Sequence, residues 1–210
     1  LRTAVITNSN LSPKGVIMML LEDLGVAYKD GSKEKLLIQL NQYLVRQVME
    51  GYNVVLVVDE AQNLSPICLE ELRMLSNLET EKEKLIQIVL IGQPELRKKL
   101  EMNRLEQLTQ RVAVHYHLVP LNAEETRNYI LHRLKTVQKE GFDLSTLFTA
   151  GAIDAIYEYS QGVPRKINVL CDHSLLTGFV RESHIITRDI IEESILEIRF
   201  QGEKTYEQIQ

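Results

Sequence analysis

Short apolar runs alternate with stripes of helical period as far as about residue 121, and only helical stripes follow. Ala4-Val5-Ile6 predicts a strand that ends at Thr7-Asn8. Ser12 stands as an N-cap with Pro13 at the first helical position, which predicts a helix running to Leu24-Gly25. From Lys33 to Glu50 the apolar residues Leu36, Leu37, Leu40, Leu44 and Val48 recur at helical spacing, and Gly51 stops the helix. Val54 to Val58 is apolar at every position, the pattern of a strand covered on both faces, as in a parallel sheet packed between helices. Ser65 and Pro66 open the next helix, with Leu64 and Leu69 spaced as a hydrophobic staple. Leu85 to Ile91 predicts another strand, closed by Gly92-Gln93-Pro94-Glu95-Leu96, and Val112 to Leu118 predicts a last one. Beyond Pro120 the pattern predicts helices near Ala123 to Lys139, Thr149 to Ser160, Pro164 to Val180 and Thr187 to Arg199. The change of pattern marks a domain boundary: an α/β core over 1–121, an all-helical part over 122–200 and a tail over 201–210.

The chemistry collects where the strands end. Ligands bind at the carboxyl edge of parallel sheets, and the strand ending at Val58 runs straight into Asp59 and Glu60. That arrangement reads as a Walker B element, with Asp59 placed to hold a magnesium ion on nucleotide phosphates and Glu60 to orient an attacking water. An acidic turn after a buried strand is the plainer alternative. Gln93 emerges at the same edge, where its amide can reach a γ-phosphate or the water; otherwise it is a turn residue before Pro94. Arg111 precedes the Val112 strand, at the rim of the sheet. A guanidinium there can neutralise developing charge on a neighbouring subunit's phosphoryl group, or form a surface salt bridge. Gly162-Val163-Pro164-Arg165-Lys166 ends one helix and begins another. A helix N-terminus repels cations by about 0.3–1 kcal/mol each, so Arg165 and Lys166 in that first turn point to an anion, with Arg165 as a phosphate sensor. A cation pair facing solvent is the alternative.

Composition narrows the class. At 210 residues, 44% hydrophobic and 25% charged, the chain has material for one domain and a small companion. No run approaches the roughly 18 apolar residues of a membrane helix, and the first residues form no signal peptide. Cys68 and Cys171 stand apart and read as reduced core residues. A net charge of −5 disfavours a nucleic-acid partner, and Arg97-Lys98-Lys99 fan around a helix as a solvated face. His115 and His117 alternate on one strand without a third ligand, so no metal site is expected there.

Val57-Val58-Asp59-Glu60-Ala61-Gln62-Asn63-Leu64, residues 69–80 and Gly92-Gln93-Pro94-Glu95-Leu96 occur in an order that resembles the ExeA-like, or general secretion pathway protein A, AAA+ ATPases. Gln110-Arg111-Val112, Tyr116-His117-Leu118 and Gly162-Val163-Pro164-Arg165 continue the resemblance, which covers residues 3–198. It implies an AAA+ P-loop NTPase-type parallel sheet sandwiched by helices, a helical lid, ATP and Mg2+ as cofactors, and hydrolysis coupled to oligomerisation. It implies Asp59 and Glu60 as the Walker B pair, Gln93 as first sensor, Arg111 as arginine finger and Arg165 as second sensor. Asn8 matches a position that, in some AAA+ proteins, holds the catalytic glutamate through a hydrogen bond. It further implies a place at the cytoplasmic face of the bacterial inner membrane in type II secretion or pilus assembly, among copies of itself and a membrane partner. Peptidoglycan contact would come through a part absent here, and this stretch would not touch the membrane itself.

The same resemblance places a Walker A loop, G-x-x-x-x-G-K-[ST], before the Ala4 strand. The chain begins too late to include it, and Gly25 to Gly31-Ser32-Lys33 imitates it with the wrong spacing and order. Without phosphate-cradling amides and a lysine, the chain by itself is expected to be a poor ATPase. The absent first strand should leave a slot about 10 Å wide, between the Leu85 and Val112 strands, that something must fill. A shifted Val112 strand, a strand from another chain, or a segment outside this sequence are the expectations. Two other readings stand beside the secretion ATPase: a DNA-transposition helper ATPase, disfavoured by the acidic balance, and a non-catalytic assembly scaffold, favoured by the missing loop.

Overall fold

The computed structural model describes residues 1–7, 11–80, 83–138 and 144–207, with side chains through residue 200. The chain divides into two compact units, Leu1–His115 and Tyr116–Gln210.

The first unit is built on three parallel strands in the order β1 (Arg2–Ile6), β2 (Val54–Val58), β3 (Gln87–Leu90). Ala4 lies beside Leu56 and Ile6 beside Val58; Leu56 in turn lies beside Ile88, and Val58 beside Leu90. These residues form one face of the sheet. They share a buried core with Val16, Ile17, Leu20 and Leu21 of α1 (Pro13–Asp23), Leu36, Leu40 and Leu44 of α2 (Lys33–Met49), and Cys68, Leu69 and Leu72 of α3 (Pro66–Leu75). The helix starts follow local chemistry. The Ser12 hydroxyl accepts from the Gly15 amide at 3.1 Å and the Ser65 hydroxyl from the Cys68 amide at 3.3 Å, each with proline in the first turn. Gly51, at φ +79°, follows the last turn of α2, a left-handed position glycine takes without steric cost. Lys33, part of the Walker A imitation, is engaged elsewhere: its Nζ lies 2.7 Å from Glu71 Oε2 of α3.

Two strand expectations change. The row Val5, Val57, Val89 belongs to the other face of the sheet, where Val5, Val89 and the following Ile91 are 46%, 45% and 47% exposed. An apolar row can accept a cover, but its composition does not place that cover within these residues. Val112 to Leu118 forms no strand: the segment is irregular, and Val114, Tyr116 and Leu118 are 79%, 85% and 81% exposed. The outer edge of β3 pairs with no strand among the described residues. A strand needs a hydrogen-bonding neighbour to exist, and the alternating apolar residues of this segment find none. The four strands expected from the sequence are therefore three, and a shifted Val112 strand is not what completes the sheet.

Between β3 and that segment lie α4 (Pro94–Leu100) and the short α5 (Glu106–Thr109). The second unit holds α6 (Ala123–Val137), α7 (Ala150–Ser160), α8 (Pro164–Val180) and α9 (Arg188–Glu207) around Ile130, Phe148, Ile153, Ile156, Ile167, Leu170 and Ile191. Asn122 caps α6 in a reciprocal box with Glu125, at 2.9 and 2.8 Å. The residues before that cap belong with the helices because the Leu121 amide donates to the Gly162 carbonyl at 3.0 Å. Among the described residues no helix is long and apolar enough to cross a membrane.

Candidate functional site at the carboxyl edge of the sheet

The parallel pairing of β2 with β3 brings the ends of both strands to one edge. The Ile91 amide donates to the Val58 carbonyl and the Ala61 amide to the Ile91 carbonyl, each at 2.9 Å, so the turn after β2 and the turn after β3 are tied together. Asp59 and Glu60 occupy the first turn. The backbone of Glu60 is left-handed, φ 50° and ψ 36°, a conformation that costs a non-glycine residue about 1–3 kcal/mol and collects at functional sites. It leaves the Glu60 side chain exposed and its amide donating to Asp59 Oδ1 at 2.8 Å.

Glu60 Oε2 is the centre of the arrangement. It accepts from Gln62 Nε2 at 2.5 Å and from Gln93 Nε2 at 3.4 Å. The other end of the Gln62 amide, Oε1, accepts the Gln93 backbone N–H at 3.1 Å. Gly92 makes room for this contact, since a Cβ there would fall 2.7 Å from Gln62 Oε1. Lys99, on α4, donates through Nζ to the carbonyls of Gln62 at 2.5 Å and Leu64 at 2.9 Å. The reading of Arg97-Lys98-Lys99 as a solvated face therefore holds for Arg97, exposed beside Glu101 at 3.4 Å, and not for Lys99. Nothing local in the sequence signals these contacts of Gln62 and Lys99. Gln62 lies in the DEAQ run, two residues after Glu60, but only the tertiary turn shows that its amide faces back.

The structure brings Asp59, Glu60 and Gln93 together. Asn8, expected to touch the glutamate, lies outside the described residues. Arg111 stands just past α5, exposed, with no hydrogen bond or ion pair to its side chain among the described residues. No strand follows it, so it does not mark a rim of this sheet. Its charge is felt at Glu79, whose carboxyl sits below its ordinary range, first through the hydrogen bond and charge of Lys84 and to a lesser degree through Arg111. Arg165 belongs to the second unit, exposed in the first turn of α8 beside Lys166 and behind Pro164. Its approach is set by Gln161 and Gly162, at φ 51° and 72°; a Cβ on Gly162 would fall 1.8 Å from the Leu121 carbonyl oxygen.

Asp59 offers a hard carboxylate oxygen at an open strand end, which suits magnesium. Its second oxygen has no donor among the described residues. Glu60 Oε1 likewise has none, so among the described residues one oxygen of that carboxylate is held and the other is available to accept a proton from water. The phosphate-binding part of such a site is a different matter, because no G-x-x-x-x-G-K-[ST] occurs in the 210 residues.

Comparison with known proteins bears on the family and the fold. The AAA domain family model matches residues 2–100. General secretion pathway protein A of Aeromonas hydrophila is 37% identical over 196 residues, covering 93% of this chain and 35% of that protein, so the chain spans about a third of the relative's length. The Aeropyrum pernix ORC2 protein in its ADP form superposes with a TM-score of 0.67 at 14% identity, over 93% of this chain and 53% of that one. Cdc6p of Pyrobaculum aerophilum gives 0.67 at 16% identity over 93% and 52%. The RuvB Holliday junction branch migration motor of Thermotoga maritima gives 0.53 at 15% over 92% and 60%. At such identities the structural likeness speaks for the fold alone. Residues 2–100 are an AAA domain, and the chain is an AAA+ ATPase-type module related to general secretion pathway protein A.

Proposed function

We propose that this chain is the ATP-binding and hydrolysing module of a bacterial type II secretion or pilus-assembly protein. It works at the cytoplasmic face of the inner membrane, in assemblies of several copies with a membrane partner. The observation that carries the reading is the Glu60 carboxylate, held by two amides at the carboxyl edge of a parallel sheet beside Asp59. In this reading ATP with Mg2+ supplies the scissile phosphate, and the residues of the chain arrange the attack. Asp59 ligates magnesium, Glu60 takes the proton of the attacking water, and Gln93 contacts the γ-phosphate. Arg165 senses the phosphates from the helical unit, and Arg111, unpaired among the described residues, acts on a neighbouring copy. Asn8 contributes to holding Glu60.

The phosphate cradle comes from residues other than these 210. The edge of β3, unpaired among the described residues, and the partly open row Val5, Val57, Val89 support that view, because a strand, loop and helix would find pairing and cover there. The same openness favours a second reading, in which the chain by itself is a non-catalytic assembly scaffold. Nucleotide binding and turnover separate the two: the chain alone should bind ATP poorly, and the chain supplied with a strand, phosphate-binding loop and helix should hydrolyse it. In that completed protein Glu60→Gln should abolish turnover while ATP binding persists, and Arg111→Ala should lower turnover only at concentrations where copies assemble. A completed protein that binds no ATP, or a Glu60→Gln variant with unchanged turnover, removes the catalytic assignment.

A further inference from the structure

The Glu60 carboxylate is exposed and projects from a tight turn, and an unrestrained glutamate there would sample several rotamers. Two donors meet its Oε2, but they are not equivalent. The bond from Gln62 to the carboxylate is charge-assisted and well within hydrogen-bond reach, while the bond from Gln93, at 3.4 Å, is near the limit of a hydrogen bond. Gln93 would have to release the carboxylate to reach a phosphate, whereas Gln62 has no such second task. Gln62 is also the better anchored of the two. Its carbonyl is held by Lys99, its Oε1 is engaged by the Gln93 backbone N–H, and Gly92 leaves the space in which that amide lies. Both ends of one side-chain amide are thus used, and they bridge Glu60 and Gln93, 33 positions apart in the chain.

We propose that Gln62 is the positioning residue of the site: it holds Glu60 Oε2, leaves Oε1 facing the attacking water, and couples that orientation to the turn after β3. The inference rests on the hydrolytic reading above for its consequence, and on the Glu60–Gln62–Gln93 geometry for its cause.

The test has two arms. In the 210-residue chain, the side-chain amide resonances of Gln62 should shift in Glu60→Gln relative to wild type, and their failure to move overturns the contact. In the protein completed with a phosphate-binding loop, Gln62→Met should lower kcat about ten- to a hundredfold, the range expected for losing one hydrogen bond to a charged group, with KM for ATP unchanged. Gln62→Glu keeps an acceptor for the Gln93 N–H but turns a like charge on Glu60, and should lose at least as much. A Gln62→Glu variant with wild-type kcat would show that only Gln93 is being braced and would overturn the proposal, as would wild-type kcat in Gln62→Met. If the completed wild-type protein does not turn over while the Gln62 amide still responds to Glu60→Gln, the hydrolytic reading fails and the contact stands.

Discussion

Replacing Gly162 by alanine tests how the loop ahead of Arg165 is built. The backbone there is left-handed, φ +72°, which costs an alanine about 1 kcal/mol. The larger effect is steric. The new Cβ would lie 1.8 Å from the Leu121 carbonyl oxygen, and ordinary contact begins at 3.4 Å, so Leu121 has to retreat by about 1.6 Å. That retreat breaks the 3.0 Å bond from the Leu121 amide to the Gly162 carbonyl, which contributes about 0.5–1.5 kcal/mol. With the overpacking strain that remains, the helical unit should lose about 2–4 kcal/mol. Gly51→Ala is the control: it is equally left-handed, φ +79°, but nothing lies within 4 Å of its Cβ, so it should cost about 1 kcal/mol. The two units need not unfold together, so amide hydrogen exchange is the suitable assay, because it reads each unit separately. Amides of α8 in Gly162→Ala should exchange roughly 30- to 1000-fold faster, and those of α2 in Gly51→Ala about fivefold faster. If Gly162→Ala costs no more than Gly51→Ala, the contact with Leu121 does not constrain the loop.

Two further outcomes follow from the interior. Lys99→Met removes the ammonium that joins the carbonyls of Gln62 and Leu64, and should lower stability by about 1–3 kcal/mol; an unchanged urea midpoint would place Lys99 back among the solvated cations. The Cys68 thiol is buried and donates to the Leu11 carbonyl at 2.9 Å, and the Cys171 thiol is pushed up to about 12, by burial first and by Asp172 second, with Arg133 opposing. At pH 8 an alkylating reagent should therefore label neither cysteine in the native chain and both in urea, as read by mass spectrometry. Because the folded value of Cys171 lies above its ordinary 9.0, its contribution to stability is intact below pH 9 and is lost as pH rises toward 12, so labelling should accelerate over that window. Rapid native labelling of Cys171, which is half-buried, at pH 8 would contradict the raised pKa of its thiol.

Local rules made much of this protein legible in its sequence. The Ser12-Pro13 and Ser65-Pro66 helix starts, the glycine after α2, the strands ending at Ile6 and Val58, and the acids beyond the second strand all follow from interactions within a few residues. Motif order likewise marks an AAA+ module, because the residues that define one are contiguous runs. What only the tertiary structure decided depends on partners distant in the chain. Val112 to Leu118 has the alternation of a strand and is none, since a strand exists only where another lends it hydrogen bonds. Val5, Val57 and Val89 look like core residues and lie partly open, since burial belongs to whatever covers a surface and not to the residue alone. Gln62 and Lys99 look like ordinary polar surface, yet they reach Gln93 and the carbonyls beyond β2 because parallel pairing sets the ends of two strands side by side. Periodicity and capping are written in neighbours along the chain, while pairing, cover and the holding of a carboxylate are properties of neighbours in space.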